Sequence, residues 1–312
     1  MFWRPKNLYE YARPTLLLWK FTGLPTLKTD TTTNKVIVLQ TSVLCCVATF
    51  LLTSKFIVFL MFYAFENTLK SMMTVNELVS IFTQNVGFVG TAYLRKGKIA
   101  VLFTQIFGTE TRIRQFCWNK FNYEDISQHL TLVVAVKTIL VLVIIVLDFS
   151  FMITEPKEYA FRYCFYGGFI YYFVSDLTIL FFLASVEKLY SEFEKQLQQQ
   201  QVVSLSELNE IVESHKLLRR LAQSVSNEMQ YFLLPKFLND FFLIASDVFY
   251  GATTTIHLSY SLGSALAMTT ALSLWMVLIF HSIITITYLF DKISEQVTKL
   301  LKNYNYNLGL KQ

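Results

Sequence analysis

Six long stretches of nearly uninterrupted apolar residues run through this chain of 312 residues. A helix needs about 20 mostly apolar residues to cross the hydrocarbon core of a bilayer. The stretches that reach this length cover residues 36–64, 69–94, 130–153, 161–186, 231–257 and 264–290. Because lipid offers the backbone no hydrogen-bond partners, such stretches are predicted to be helical. We therefore expect an all-α fold, a polytopic bundle of six membrane-spanning helices.

The amino-acid composition argues against the common soluble classes. Charged residues make up 16% of the chain and hydrophobic residues 54%, whereas a typical soluble domain carries about 25% charged residues. With only 10 glycines and 5 prolines, collagen-like and Gly/Pro-rich all-β folds are also excluded. A surface so poor in charge would be adhesive in water, so the lipid bilayer is the expected surrounding.

No pattern typical of catalysis or of nucleic-acid binding accompanies the apolar stretches. The four histidines stand alone, without the H-E-x-x-H spacing of a metal site, and neither Walker A nor G-x-S-x-G occurs. The four cysteines lack C-x-x-C spacing. The net charge of +5 includes no long basic run, which gives nucleic-acid binding little support. We expect no enzymatic activity, cofactor, metal or nucleic-acid partner.

Lysines and arginines are distributed unevenly between the two sides of the predicted bundle. Of the 27 basic residues, 21 fall in the N-terminal arm, the second and fourth connections and the C-terminal tail. Because basic loops remain in the cytoplasm, both termini are expected there. The predicted organisation is a cytoplasmic N-terminal arm (1–35), spans one to four (36–186), a cytoplasmic amphipathic helical segment (187–230), spans five and six (231–290) and a cytoplasmic tail (291–312).

The outward loops are predicted to be too short for an outer domain, so an extracellular ligand must enter the helix bundle. Polar and aromatic residues from several helices at one depth suit a small-molecule pocket. Tyrosine and tryptophan at this depth are also typical of the aromatic belt at a membrane interface. Tyr166 lies at the same predicted depth. The candidate ligand-binding residues are Asn76, Glu77, Asp148, Tyr171, Tyr172, Asp247, Tyr250, Thr269, Ser273 and Trp275.

Ionisable residues inside the predicted spans need a partner or a route to water. Lys137 and Lys236 lie near cytoplasmic ends, where long side chains can extend to the interface. Lys236 could also pair with Asp240, one helical turn later. Lys55 and Asp176 lie deeper, and an ion pair between their helices is one hypothesis.

The second predicted span carries a polar face. Asn76, Ser80, Thr83 and Gln84 follow helical spacing on one side, with Glu77 beside them. One interpretation is hydrogen bonding to neighbouring helices, and the other is the wall of a hydrated cavity. A face this polar would be costly against lipid, so it must meet either another helix or water, and both interpretations remain open.

Four stretches of the chain form a pattern through their residues, order and spacing. Residues 11–16 (YARPTL) lead to Gly-Leu-Pro at 23–25, and residues 208–227 contain His-Lys-Leu-Leu and end in Ser-Asn. That segment runs directly into the aromatic-rich residues 231–250, and residues 294–301 (SEQVTKLL) follow the last span. In these motifs and in its expected topology, the chain resembles the insect gustatory receptors, of the superfamily that includes insect odorant receptors.

One motif of that family is missing. The family carries T-Y-hhhhh-Q-F in a seventh span, whereas residues 287–290 (TYLF) open similarly but lack the spacing and the Gln-Phe end. In the family that the chain resembles, the seventh helix lines the pore of a tetrameric cation channel, and a domain beneath the membrane holds the subunits together. By this comparison the chain is expected to be about one helix short.

The resemblance implies a gustatory receptor subunit, a ligand-gated, non-selective cation channel in the plasma membrane of sensory neurons. It would bind a small-molecule tastant and assemble as a homo- or hetero-tetramer with other gustatory receptor subunits. A metabotropic seven-helix receptor is one alternative, and it requires an external N-terminus. A small transporter is another, and paired Gly/Pro-broken helices would favour it; only Gly167–Gly168 and Pro235 suggest such breaks.

Overall fold

The computed structural model describes residues 5–29, 36–40, 69–116, 122–152, 156–199, 205–256 and 262–307. Within these ranges the fold is helical apart from one short pair of antiparallel strands, so the expected helical class is confirmed. In chain order the elements are α1 (Leu8–Thr22), β1 (Thr26–Thr29), β2 (Val36–Gln40), α2 (Leu69–Leu94), α3 (Lys96–Phe116), α4 (Glu124–Leu147), α5 (Pro156–Gln199), α6 (Leu205–Ile256) and α7 (Leu262–Asn307).

Five of the six predicted spans overlap helices. The second span has the same bounds as α2, and the last four fall on α4 to α7, with a π-helical turn (Asp148–Met152) prolonging α4. The first span is wrong at its start, because residues 36–40 form β2, which pairs with β1. Its β-branched residues Val36, Ile37 and Val38 favour a strand. The rest of that span, residues 41–64, lies outside the described residues.

Among the described residues, three helical segments are long and apolar enough to cross a membrane: Glu124–Ser150, Tyr166–Gln198 and Ala265–Lys299. They occupy different places in the bundle. On α5 every residue from 174 to 186 is buried, so this helix forms the centre. On α4, by contrast, the large apolar side chains of Leu132, Ile139 and Val146 are exposed, as expected of a helix that faces lipid.

The long helices continue past the predicted membrane boundaries. α5, α6 and α7 run through positions 187, 231 and 291 without a break. The apolar stripe of the amphipathic segment is buried at Leu218, Val225 and Met229, in the same core as Tyr190 of α5 and Ile99 of α3. Spans and extensions therefore form one continuous packed structure.

The N-terminal arm is part of the bundle rather than a loose extension. α1 packs against α5: Trp19 Nε1 donates to Thr178 Oγ1 at 2.8 Å, and Tyr171 Oη donates to the Thr22 carbonyl at 3.0 Å. The helix ends at Gly23, whose φ of 86° is left-handed and suits glycine. The fully buried Trp19 anchors the arm to the central helix.

A buried carboxylate holds the beginning of α1. Glu110 of α3 accepts from the Leu8 backbone N–H at 3.1 Å and from Tyr123 Oη at 2.5 Å, and it pairs with Arg114 at 3.0 Å. Burial raises the pKa of the Glu110 carboxyl above its ordinary value, although each of these three partners lowers that pKa. Folding therefore favours the protonated form of this side chain.

Replacing Glu110 by Gln is expected to remove a pH-dependent term from stability. A folded pKa above the ordinary 4.5 makes the carboxyl's contribution greatest at low pH and smaller as pH rises through the folded pKa. Melting curves in detergent should show wild type losing stability relative to Glu110→Gln as the pH rises from below 4.5 through the raised folded pKa. Glu110→Ala should cost about 1–3 kcal/mol, because it leaves buried donors unpaired. A wild-type advantage that grows with pH would contradict this.

Candidate functional site

Four helices meet around the carboxylate of Asp176, in the middle of α5. Lys137 Nζ of α4 lies 2.5 Å from Asp176 Oδ2, and Lys236 Nζ of α6 lies 2.8 Å from Oδ1. Ser282 of α7 donates its hydroxyl to Oδ2 at 2.7 Å. All four side chains are buried. Asp176 therefore joins α4, α5, α6 and α7 through polar contacts at one level of the bundle.

Lys236 extends these contacts to a second carboxylate. Its amine donates to Asp240 Oδ2 at 3.0 Å and to Tyr172 Oη at 3.0 Å, and it lies 4.2 Å from the centre of the Tyr172 ring. We call Lys137, Asp176, Lys236 and Asp240, with the hydroxyls of Tyr172 and Ser282, the charge network. Its two lysines and two aspartates balance formally, as burial requires, since a buried unpaired charge costs several kcal/mol.

The charge network corrects the interpretation of the lysines within the spans. Lys137 is 4% exposed and Lys236 is fully buried, so the prediction that they extend to the interface is wrong. The predicted pair between Lys236 and Asp240 is confirmed. Asp176 does take part in interhelical ion pairs, but with Lys137 and Lys236; Lys55 lies outside the described residues. Helical spacing predicts on which face of its own helix a charged side chain lies, but it does not predict which other helix packs against that face.

An aromatic cluster adjoins the charge network. It consists of Tyr166, Phe169 and Tyr172 on one face of α5, and of Trp275 on α7. The rings of Phe169 and Tyr172 stack with centroids 4.8 Å apart, and Trp275 meets Phe169 edge-on at 4.7 Å. Trp275 also lies parallel to Tyr166, at 6.4 Å. Tyr172 belongs both to this cluster and to the charge network.

Three of the ten candidate ligand-binding residues come together at this place. Tyr172 and Trp275 belong to the aromatic cluster, and the buried Asp148 accepts a hydrogen bond from the Tyr166 hydroxyl. Asp148 sits in the π-helical turn after α4, a widened geometry that often occurs at functional sites. A carboxylate, two tyrosines and an indole thus lie side by side.

The other candidate residues lie elsewhere. Tyr171 faces α1, where it donates to Thr22. Thr269 and Ser273 are exposed, and their hydroxyls donate to the carbonyls of Ala265 and Thr269 on their own helix. The remaining candidates are Asn76, Glu77 and Asp247, which are half-buried on α2 and α6, and Tyr250, whose side chain lies outside the described part of the chain.

α2 packs antiparallel to α6 along a seam with polar contacts at both ends. Asn76 donates to Ser246 Oγ at 2.5 Å, and near the other end Arg95 makes two hydrogen bonds with Glu228, at 2.7 and 2.9 Å. The polar face of α2 therefore meets another helix at Asn76, whereas Thr83 of the same face is exposed. At Asn76, this supports the interpretation that the face makes interhelical hydrogen bonds.

The middle of this seam contains a proline. Because Pro235 has no N–H, the carbonyl of Tyr231 loses its helical partner, and Thr91 Oγ1 donates to it at 3.4 Å. Gly87 of α2 approaches so closely that a Cβ there would lie 2.7 Å from Pro235 Cβ. Lys236 of the charge network follows Pro235 directly. The network therefore begins beside an interruption of the α6 hydrogen-bond ladder.

Neither a metal site among the described residues nor a matching known protein identifies the function of this chain. Across the described ranges, no group of three or more His, Cys, Asp or Glu side chains is arranged to hold a metal ion. No known protein-family model matches the chain, and no curated protein sequence matches it either. The candidate functional features of the described chain are therefore the charge network, the aromatic cluster and the α2–α6 seam.

Proposed function

We propose that this protein is a membrane-embedded chemoreceptor subunit of the insect gustatory type, a ligand-gated, non-selective cation channel opened by a small-molecule tastant. The proposal depends on Tyr172, which belongs both to the aromatic cluster and to the charge network. Its ring stacks on Phe169 in the aromatic cluster, and its hydroxyl accepts a hydrogen bond from Lys236. A ligand that displaces the cluster would act directly on the ion pairs that join four helices.

The aromatic cluster offers suitable contacts for a small organic ligand. Tyr166 and Trp275 combine large apolar rings with polar edges, and the Asp148 carboxylate is held beside Tyr166. Apolar walls with a few fixed polar groups are typical of small-molecule sites. Under the proposed orientation, with both termini cytoplasmic, these residues belong to the outer half of the membrane and could be reached from outside.

The charge network has the properties of an element with alternative pairings. Asp176 is shared by Lys137 and Lys236, and Lys236 is shared by Asp176 and Asp240. A small helix displacement would exchange one buried pair for another without leaving a charge unpaired, and packed structures of this kind switch between discrete states. A tastant would shift the populations only by its differential affinity for the two states.

The remaining parts of the proposal concern topology and assembly. We propose six spans in this chain, location in the plasma membrane of sensory neurons, and assembly as a homo- or hetero-tetramer with other gustatory receptor subunits. The continuation of α5, α6 and α7 past the predicted membrane boundary supports this arrangement. Their extensions would provide a packed body beneath the membrane through which subunits could associate.

Current recordings from oocytes test the proposal, with the chain expressed alone and with a second gustatory receptor subunit. Tastant-dependent currents are expected. Tyr172→Phe keeps the stacked ring but removes the hydroxyl that accepts from Lys236, so the half-maximal tastant concentration should shift by about 5- to 150-fold. Thr269→Ala is the matched control: Thr269 is an exposed candidate whose hydroxyl bonds its own helix, so the response should not change.

Two outcomes would contradict the proposal. One is the absence of tastant-dependent current from every combination of subunits, and the other is an equal effect of Tyr172→Phe and Thr269→Ala. An N-terminal epitope tag that antibody reaches on intact cells would contradict the topology and favour a metabotropic receptor instead.

A small transporter is a second candidate, favoured by two features of the structure. Ionisable residues inside membrane bundles often mark substrate or proton pathways, and the charge network lies next to the proline break in α6. In sealed liposomes, a transporter would move a labelled solute at a rate that saturates with concentration, and Asp176→Asn would abolish this uptake. A channel would instead give currents without saturable uptake.

A further inference from the structure

Two buried amide side chains lie at the α2–α6 seam, one on each helix. Gln84 is 1% exposed and Asn239 is 2% exposed. Among the described residues, neither the nitrogen nor the oxygen of either amide has a hydrogen-bond partner. A buried polar group left unpaired destabilises the folded state, because it loses its hydrogen bonds to water without replacement. An occupant that can both donate and accept hydrogen bonds would satisfy both amides.

The register of the helix pair places these amides at the same level. Asn76 contacts Ser246 and Gly87 contacts Pro235. Between these two contacts, each step along α2 matches one step back along α6. Gln84 therefore lies opposite position 238, next to Asn239.

We propose that the α2–α6 seam holds a binding site for a small, uncharged molecule with both donor and acceptor groups, between the Gln84 and Asn239 amides. The contacts at Asn76 and at Gly87 close the seam above and below this site. Asp240, the next residue after Asn239, belongs to the charge network. An occupant that contacts Asn239 would therefore contact the residue that directly precedes Asp240, a charged member of the network.

The side chains of the seam select the chemistry of the occupant. Each amide offers one acceptor and one donor group and carries no charge. The charged partners nearby are already engaged with each other, so an ionic occupant would enter without a counter-charge and at a high desolvation cost. Amides, alcohols and other neutral polar molecules satisfy the two amides at no such cost. This site is separate from the aromatic cluster, and its existence does not depend on channel activity.

Acetamide is a suitable probe, because it is small and neutral and carries one donor group and one acceptor. The full chain in detergent should show an acetamide-dependent rise in melting temperature that a Gln84→Leu/Asn239→Leu double variant lacks. Comparison at equal acetamide concentration cancels general solvent effects. Without acetamide, the double variant should be at least as stable as wild type, because no hydrogen bond among the described residues is lost.

Chemical labelling provides the second measurement, in a background where all four native cysteines are replaced by serine. Gln84→Cys should react with methyl methanethiosulfonate at least about tenfold faster than Phe232→Cys, which is buried in an apolar part of the same seam. Equal labelling rates, or an equal acetamide-dependent rise in melting temperature for wild type and the double leucine variant, would overturn the site. Faster labelling at position 84 without an acetamide-dependent rise in the melting temperature of wild type would restrict the occupant to water and overturn the ligand assignment.

Discussion

Replacing Asp176 by Asn is expected to destabilise the folded bundle by about 3–5 kcal/mol, the usual cost of removing one partner from a buried ion pair. Asp176 is the carboxylate that both Lys137 and Lys236 contact, at 2.5 and 2.8 Å. Without it the network carries one excess positive charge, and Lys137 loses its buried counter-ion. Chemical unfolding of the purified protein in detergent would measure the loss.

A second substitution should restore much of this stability. Adding Lys137→Met to Asp176→Asn balances the network again, because Lys236 keeps its pair with Asp240. We expect the double variant to recover about half or more of the stability lost in Asp176→Asn, because the effects of mutations at contacting residues are not additive. The control is Glu213→Gln, whose pair with Lys216 is about half exposed on both sides, and its cost should stay below about 1 kcal/mol. If Asp176→Asn costs no more than this control, the network does not hold the helices together.

Gly87→Ala is the second substitution with a large expected effect. The added Cβ would lie 2.7 Å from Pro235 Cβ, a distance that real contacts essentially never show, so α2 and α6 must separate. Overpacking of this kind costs about 1–3 kcal/mol. Because Pro235 precedes Lys236 of the charge network, we also expect the tastant response of the proposed channel to change. Unfolding in detergent and current recordings would measure the two effects.

Gly90→Ala provides a matched control in the same helix. A Cβ at Gly90 meets nothing within 4 Å in the described part of the structure. Because alanine favours a helix over glycine, this variant should be neutral or more stable by up to about 1 kcal/mol. Equal effects of Gly87→Ala and Gly90→Ala would mean that helix propensity, and not the close approach to Pro235, determines the result.

The local character of each segment could be predicted from the sequence. The second predicted span has the bounds of α2, Leu69–Leu94, because a long apolar stretch satisfies its backbone groups only as a helix. The pair between Lys236 and Asp240 was also predictable, since residues four apart share a helix face. The strand at Val36–Gln40 was not predicted: its β-branched residues are apolar enough for a membrane span, yet they pair with β1.

The candidate site was predicted only in part. Asp148, Tyr172 and Trp275 come together, whereas Thr269 and Ser273 are exposed. Helical spacing cannot separate these two groups, because it does not tell whether a polar face meets another helix, lipid or water. The role of Phe169 was also missed, since one phenylalanine among 29 carries no distinguishing signal.

The sequence alone determined that the chain is helical, which segments are apolar, and which residues share a face within each helix. These properties depend on neighbours a few positions apart. Only the tertiary structure decided that Asp176 pairs with Lys137, 39 positions away, and that Trp19 bonds Thr178, 159 positions away. Such contacts depend on which helices become neighbours, and that choice follows from the packing of all side chains together. The charge network is therefore a property of the assembled bundle.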